Sequence, residues 1–270
     1  MRSTSDLTDR GAQRVIVGVD GSEAALGAAS WGAEEAAQHD VSLTLLYVVD
    51  RNRAATPNVV EAENQLAETA LADANAVVET LQKPIEVERE IVFGDPGTVL
   101  LQQSRSAALL CVGAPKAHPH GPSDSLAASV AFAASCSVAV VPPTRCGAWK
   151  RSGLLAVCLD ASNINYDALQ VALEEAYLHG FSVRVVAKES SDPALDELVS
   201  KWAHSYPDLD TCVVQSDDIL SYISGQHGQV HMVVLGAEHD REAAELIELS
   251  RSRPAFYENP AVLVVNSQHL

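Results

Sequence analysis

The chain carries one pattern twice, and the second copy is shorter. A β-favouring run that ends in an acid, Val15-Ile16-Val17-Gly18-Val19-Asp20, returns as Leu154-Leu155-Ala156-Val157-Cys158-Leu159-Asp160. Each copy runs on to a second apolar stretch ending in glycine, Leu109-Leu110-Cys111-Val112-Gly113 and Met232-Val233-Val234-Leu235-Gly236. Each closes on a third, Val138-Ala139-Val140-Val141 and Val262-Leu263-Val264-Val265. The two acids stand 140 residues apart and the two glycines only 123, so the second copy is 17 residues shorter between those landmarks. Two similar units in one chain predict two similar domains, which commonly pair as a built-in dimer. At 270 residues and 47% hydrophobic content, each copy has the length and the apolar side chains for a core of its own.

Within each copy, strand and helix signals alternate. After Asp20, Gly21-Ser22-Glu23 reads as a turn with Ser22 as helix N-cap, and an Ala-rich helical stretch continues to about residue 38. Residues 41–49 read as a strand. A long helix is expected over 59–81 with Val59, Ala62, Leu66, Ala70, Val77 and Leu81 on its apolar face. A third strand follows over 85–92. Gly94-Asp95-Pro96-Gly97 starts another helix, since aspartate caps and proline suits the first helical position. It leads to the strand ending at Gly113, a loop and helix over 114–134, and the closing strand. The second copy repeats the order, with helices over 167–179, 193–204 and 217–224, strands over 183–187, 212–215 and 230–236, and a reduced middle helix. Continuous apolar strands between helices predict a doubly wound α/β fold, a parallel sheet covered on both faces. The expected divisions are a flexible N-terminus at 1–13, a domain over 14–142, a Pro- and Gly-broken linker over 143–152, and a shortened, divergent domain over 153–266.

Composition removes several function classes. A formal charge of −18 argues against nucleic acid or an anionic membrane as partner, because phosphate binding needs a basic stripe. The one basic cluster, Arg145, Lys150 and Arg151, reads as a solvated linker. No apolar run approaches the ~18 residues of a membrane span, and residues 1–13 lack a signal peptide's apolar segment, so a cytoplasmic protein is expected. The five cysteines form no CxxC pair; Cys111, Cys136 and Cys158 lie in or beside strand patterns as buried hydrophobes, and Cys146 is the candidate for oxidation. His118 with His120, or His227 with His231, lacks the further ligands of a recognisable metal pattern, and no metal is expected. No Walker loop or Gly-x-Ser-x-Gly elbow is present, and no catalytic residue is assigned.

Ligands of an open parallel sheet bind beyond the carboxyl ends of its strands, near the switch in strand order. Asp20, Val48, Val92 and Gly113 are expected at that edge. Asp20 suits a ribose or base contact, or simply caps the next helix; Gly113 lets a ligand approach the backbone.

Together, residues 15–22, 45–50, 92–96, 112–113 and 136–141 resemble the universal stress protein family, and the whole chain resembles its tandem-domain form. The resemblance is closest over 14–141; over 154–265 it rests on Asp160, the strand 232–236 and the end 259–265. It implies, in each copy, a five-stranded parallel sheet with helices on both faces, a Rossmann-like domain of the adenine nucleotide alpha hydrolase-like type. It also implies a pseudo-two-fold relation between the copies, with Val138–Val141 and Val262–Val265 pairing. Members with the nucleotide signature bind ATP through Gly-x2-Gly-x9-Gly-(Ser/Thr), whose glycines let backbone N–H groups close on phosphates. Here Gly113 is the first glycine, Lys116 replaces the second, and Asp124-Ser125 stands for the final Gly-Ser, with the spacing two residues short. In the second copy, counting back from Val265 puts His239 at the second glycine and Glu248-Leu249 at the Gly-Ser pair. A carboxylate against a phosphate costs at least ~1 kcal/mol per charge pair in water and more in a buried site.

The expectation is therefore a non-catalytic universal stress protein of the cytoplasm, acting in stress response, hypoxia or dormancy, through protein association. It would have degenerate nucleotide sites, no resident cofactor, and a homodimer or an unidentified protein client as partner. The alternative is an ATP-binding regulator, slowly hydrolytic, using the first copy alone through Asp20, Val48, Val92, Gly113, Lys116 and Ser125. A third reading is a redox switch through Cys146.

Overall fold

The structure is a computed structural model and describes residues 14–50, 57–114, 125–143, 153–159, 165–187, 193–216, 218–226, 229–252 and 259–266. The chain divides into two compact units. In the first, the elements are β1 (Arg14–Val19), α1 (Glu23–His39), β2 (Ser42–Asp50), α2 (Pro57–Thr80), β3 (Val87–Gly94), α3 (Pro96–Gln103), β4 (Leu109–Gly113), α4 (Leu126–Ala133), of which the part from Ser129 groups with this unit, and β5 (Ser137–Val141). In the second they are β6 (Leu154–Leu159), α5 (Tyr166–His179), β7 (Ser182–Ala187), α6 (Pro193–Ala203), β8 (Thr211–Gln215), α7 (Ile219–Gly225), β9 (Val230–Gly236), α8 (Asp240–Ser252) and β10 (Ala261–Val265).

The first unit's strands lie in the order β3-β2-β1-β4-β5, every pair parallel. The second repeats this as β8-β7-β6-β9-β10, again all parallel. Each unit is thus the doubly wound α/β domain that its alternating signals predict. The chain reverses its direction of travel across the sheet between β1 and β4, and between β6 and β9. Val15, Ile16 and Val17 are consecutive and all fully buried, so side chains pointing to opposite faces of β1 are both covered.

Local chemistry explains the helix limits. Ser22 Oγ accepts from Ala25 N at 3.1 Å and fixes the start of α1, which ends at Asp40 in the left-handed region (φ 56°) with its N–H on Ala36 O. Small residues let α1 lie close on the sheet: a Cβ on Gly32 would stand 2.7 Å from Val17 Cγ2. Trp31, 1% exposed, contributes ~5 kcal/mol of gross apolar burial from the same helix. Asp95 caps α3 through Thr98 N at 2.9 Å, with Pro96 in the first turn. In the second unit Asn165 caps α5 and Gly180, at φ 70°, ends it.

Three expectations shift. The buried face of α2 is Ala67, Ala70, Leu71, Ala74 and Val78, whereas Val59 and Leu66 are exposed. α2 packs on both α1 and β2, and three of its five buried residues are alanines, so the stripe is not set by the bulkiest side chains. β3 begins two residues later than expected and runs to Gly94, which pairs with Asp50; Ile85 is spent in a turn, its N–H on Lys83 O at 2.9 Å, behind Gln82 at φ 51°. α7 starts at Ile219, because Asp218 accepts from Ser221 N at 2.7 Å and so stands outside the helix as its cap. No helix among the described residues is long and apolar enough to cross a membrane.

Candidate functional site

The carboxyl edge of the first unit gathers four of the residues expected there. Strand register sets Val19 opposite Tyr47, Val48 opposite Val92, and Gly18 opposite Val112. Asp20 therefore lies one step past the end of β1, level with Val48, and Gly113 ends the neighbouring strand. Ser125 is 8% exposed and its Oγ accepts from Ala128 N at 3.4 Å, which makes it the cap of α4. Lys116, Asp124, His118, His120, Cys146, Asp160 and His227 lie outside the described residues.

Each of these groups also has a structural task. Asp20 is exposed, and its Oδ1 accepts from Ser22 N at 2.9 Å, holding the turn in which Gly21 adopts φ 78°. Gly113 is glycine for a packing reason: an added Cβ would stand 2.6 Å from Ala24 C and 2.7 Å from Ala25 N. The first turn of α1 packs against Gly113 on the side where a Cβ would stand. The next amide, Ala114 N, donates to Val141 O at 2.7 Å and continues the ladder with β5. Among the described residues this edge offers the exposed carboxylate of Asp20 beside two valines, the elements of a ribose or base contact.

The second unit's edge is built differently. After Gly236 the chain makes a 3-10 turn, Ala237–His239, and enters α8 at once. Glu248 therefore lies two turns inside α8, not at a helix start, and the acid at the strand end is Glu238. The count back from Val265 named the wrong acid because it carried over a loop that this copy does not have. Asn165 Nδ2 donates to both oxygens of Glu238, at 3.0 and 2.9 Å, and His239 Nδ1 lies 3.5 Å from Oε1. A Cβ on Gly236 would land on Asn165 Nδ2 and on both carboxylate oxygens, so the pair rests directly on the strand's backbone. His231 has its Nδ1 2.8 Å from Gln229 O, a backbone contact.

A further recurrence escaped sequence reading. Glu35, fully buried, has Oε2 3.7 Å from His39 Nε2 one turn along α1; Glu175, 1% exposed, has Oε2 3.4 Å from His179 Nε2 on α5. Both pairs sit in the same string, Glu-Glu-Ala-x-x-His, at the same distance from the strand-one acid of their copy. Comparing the two helices residue by residue would have found it.

A sequence model described as the Universal stress protein family matches residues 11–142. The chain is 33% identical over 273 positions to Universal stress protein Rv2028c of Mycobacterium tuberculosis (strain ATCC 25618 / H37Rv), covering 95% of this chain and 97% of that one. It is 39% identical over 197 positions to Universal stress protein Rv3134c of the same strain, 72% of each chain. Among solved structures, a universal stress protein from Archaeoglobus fulgidus DSM 4304 aligns over 94% of this chain and 96% of its own with a TM-score of 0.68 at 14% identity, a likeness of fold. A putative universal stress protein from Pseudomonas aeruginosa UCBPP-PA14 aligns over 96% and 95% with a TM-score of 0.55 at 16% identity.

Proposed function

Since the chain belongs to the universal stress protein family, we propose that it serves stress response, under hypoxia or in dormancy, as a non-catalytic cytoplasmic protein that acts by association and holds no nucleotide tightly. The observation that carries this reading is the closeness of Gly113 to the backbone of Ala24 and Ala25, which leaves the strand-four glycine little room for a phosphate. The acids support it: Asp124 stands where the family's signature has glycine, and Glu238 lies on Gly236. Residues 143–152 serve as the linker between domains at 14–142 and 153–266. Association begins inside the chain: residues 138–141 and 262–265 are continuous apolar runs on outer strands of their own units, and such edges call for a partner. Other faces are left for a second copy or a protein client.

Denaturing the purified protein and resolving the supernatant by anion exchange tests the proposal. A clean trace, with no calorimetric heat on adding ATP, is expected; about one adenine nucleotide per chain would overturn it. The gathering of Asp20, Val48, Val92 and Gly113 at one edge favours a second reading, an ATP-binding regulator that uses the first unit alone. Under the first reading, K116G/D124G raises ATP affinity only in part, because the acid is gone while the close packing of Gly113 on Ala24 and Ala25 remains. Under the second, wild type already binds and the double variant changes little.

A further inference from the structure

The Glu238 carboxylate is held as a bound anion would be. Asn165 is the N-cap of the 14-residue α5: its Oδ1 accepts from Ala168 N at 2.9 Å, which turns Nδ2 outward onto both carboxylate oxygens. The amide therefore divides its work, oxygen to the helix and nitrogen to the acid. Among the described residues His239, 7% exposed, has its Nδ1 without a hydrogen-bond partner, and Glu238 Oε1 lies 3.5 Å from it. Beneath lies Gly236, whose missing side chain is what lets the carboxylate reach the backbone. A helix N-terminus, an amide donor, a buried imidazole and a bare glycine together make a seat for an oxyanion. The side chain of Glu238 is about one third exposed, so the seat opens to solvent on one side.

We infer that Glu238 is a tethered anion: the second unit has a small oxyanion seat at the start of α5, and the chain fills it with its own carboxylate. The ligand class that the seat would take in its place is inorganic phosphate or the phosphoryl end of a larger molecule. Glu238 thereby keeps the unit closed to such ligands, and fixes the turn between β9 and α8 to the first turn of α5. The inference concerns residues of the second unit alone and stands whether or not the first unit takes a nucleotide.

The test uses the full chain. Wild type and Glu238→Ala are titrated with inorganic phosphate by calorimetry, and their thermal midpoints are followed against phosphate with chloride at matched ionic strength as control. Wild type is expected to respond no more to phosphate than to chloride. Glu238→Ala is expected to melt lower without phosphate, to recover as phosphate is added, and to bind it about tenfold or more tighter than wild type. Asn165→Ala added to Glu238→Ala should abolish the gain. Glu238→Gln, which keeps the hydrogen bond to Asn165 and leaves the seat filled, should stay as closed as wild type and serves as the folded reference. Equal phosphate response in wild type and Glu238→Ala overturns the inference, as does a gain that survives loss of Asn165.

Discussion

Gly113 and Ala24 are packed backbone to backbone, close enough that a Cβ on the glycine would stand 2.6 Å from the alanine's carbonyl carbon. Nothing flexible lies in the way, so a side chain there must displace the first turn of α1 from the end of β4. Gly113→Ala is expected to cost about 2–3 kcal/mol, read as a lower urea midpoint at unchanged slope. Gly225→Ala is the control, because among the described residues nothing beyond its chain neighbours and its own helix backbone lies within 4 Å of its added Cβ, and the residue closes a helix; it should be neutral or slightly stabilising.

The helix caps give a pH signature. Thr98, through its N–H and its hydroxyl, holds the Asp95 carboxyl below its ordinary range. A carboxyl lowered in the folded state adds stability that is complete above the unfolded chain's value, about 4, and is lost as pH falls through the folded value. Stability curves of wild type and Asp95→Asn should therefore converge as pH drops below about 4. Ser22→Ala, which removes the cap of α1, is expected to cost about 1 kcal/mol with no such pH dependence.

Thiol reactivity should follow burial. Cys111 and Cys136 are fully buried and Cys158 nearly so, while Cys212 is exposed on β8. Burial pushes the Cys136 thiol up to about 12, leaving almost no thiolate at neutral pH. Peptide mapping after native alkylation should show Cys212 modified well before the other three; modification of Cys136 at a similar rate would mean that the first unit opens readily.

The Glu35–His39 and Glu175–His179 pairs put carboxylates where water is excluded. Removing a histidine deletes one of the groups that face the buried carboxylate. His39→Ala and His179→Ala are each expected to destabilise by about 1–3 kcal/mol, and Glu35→Gln with His39→Ala should recover part of the loss. Denaturant titration of the three variants against wild type checks this.

The fold was legible because its signals are redundant. Val230–Gly236 reads as a strand from end to end, and Ser22 and Asp95-Pro96 mark helix starts whose capping bonds are present. The buried face of α2 was misread because alanine carries little hydrophobic weight, yet Ala67, Ala70 and Ala74 are three of its five buried residues. The site was less legible. Asp20 and Gly113 fall at the expected edge, but sequence could not reveal how closely the first turn of α1 packs on Gly113. Glu238 was passed over for Glu248 because counting back from a strand assumes a loop length, and α8 begins without that loop. The Glu-Glu-Ala-x-x-His strings were missed because acids and histidines on a helix normally read as its wet side.

The trimming of the second copy fell on its middle helix: α6 has 11 residues where α2 has 24. A helix pays the same initiation cost whatever its length, so the shorter one spreads it over fewer hydrogen bonds. Among the described side chains it is pinned by Leu195 and Val199, against the five of α2. Local opening should therefore start there. In native-state hydrogen exchange the amides of α6 should lose protection at a lower free energy than those of α2, and a protease acting on the folded chain should make its first cut near α6. The deletion that shortened the repeat would thus also have set the order in which the molecule comes apart.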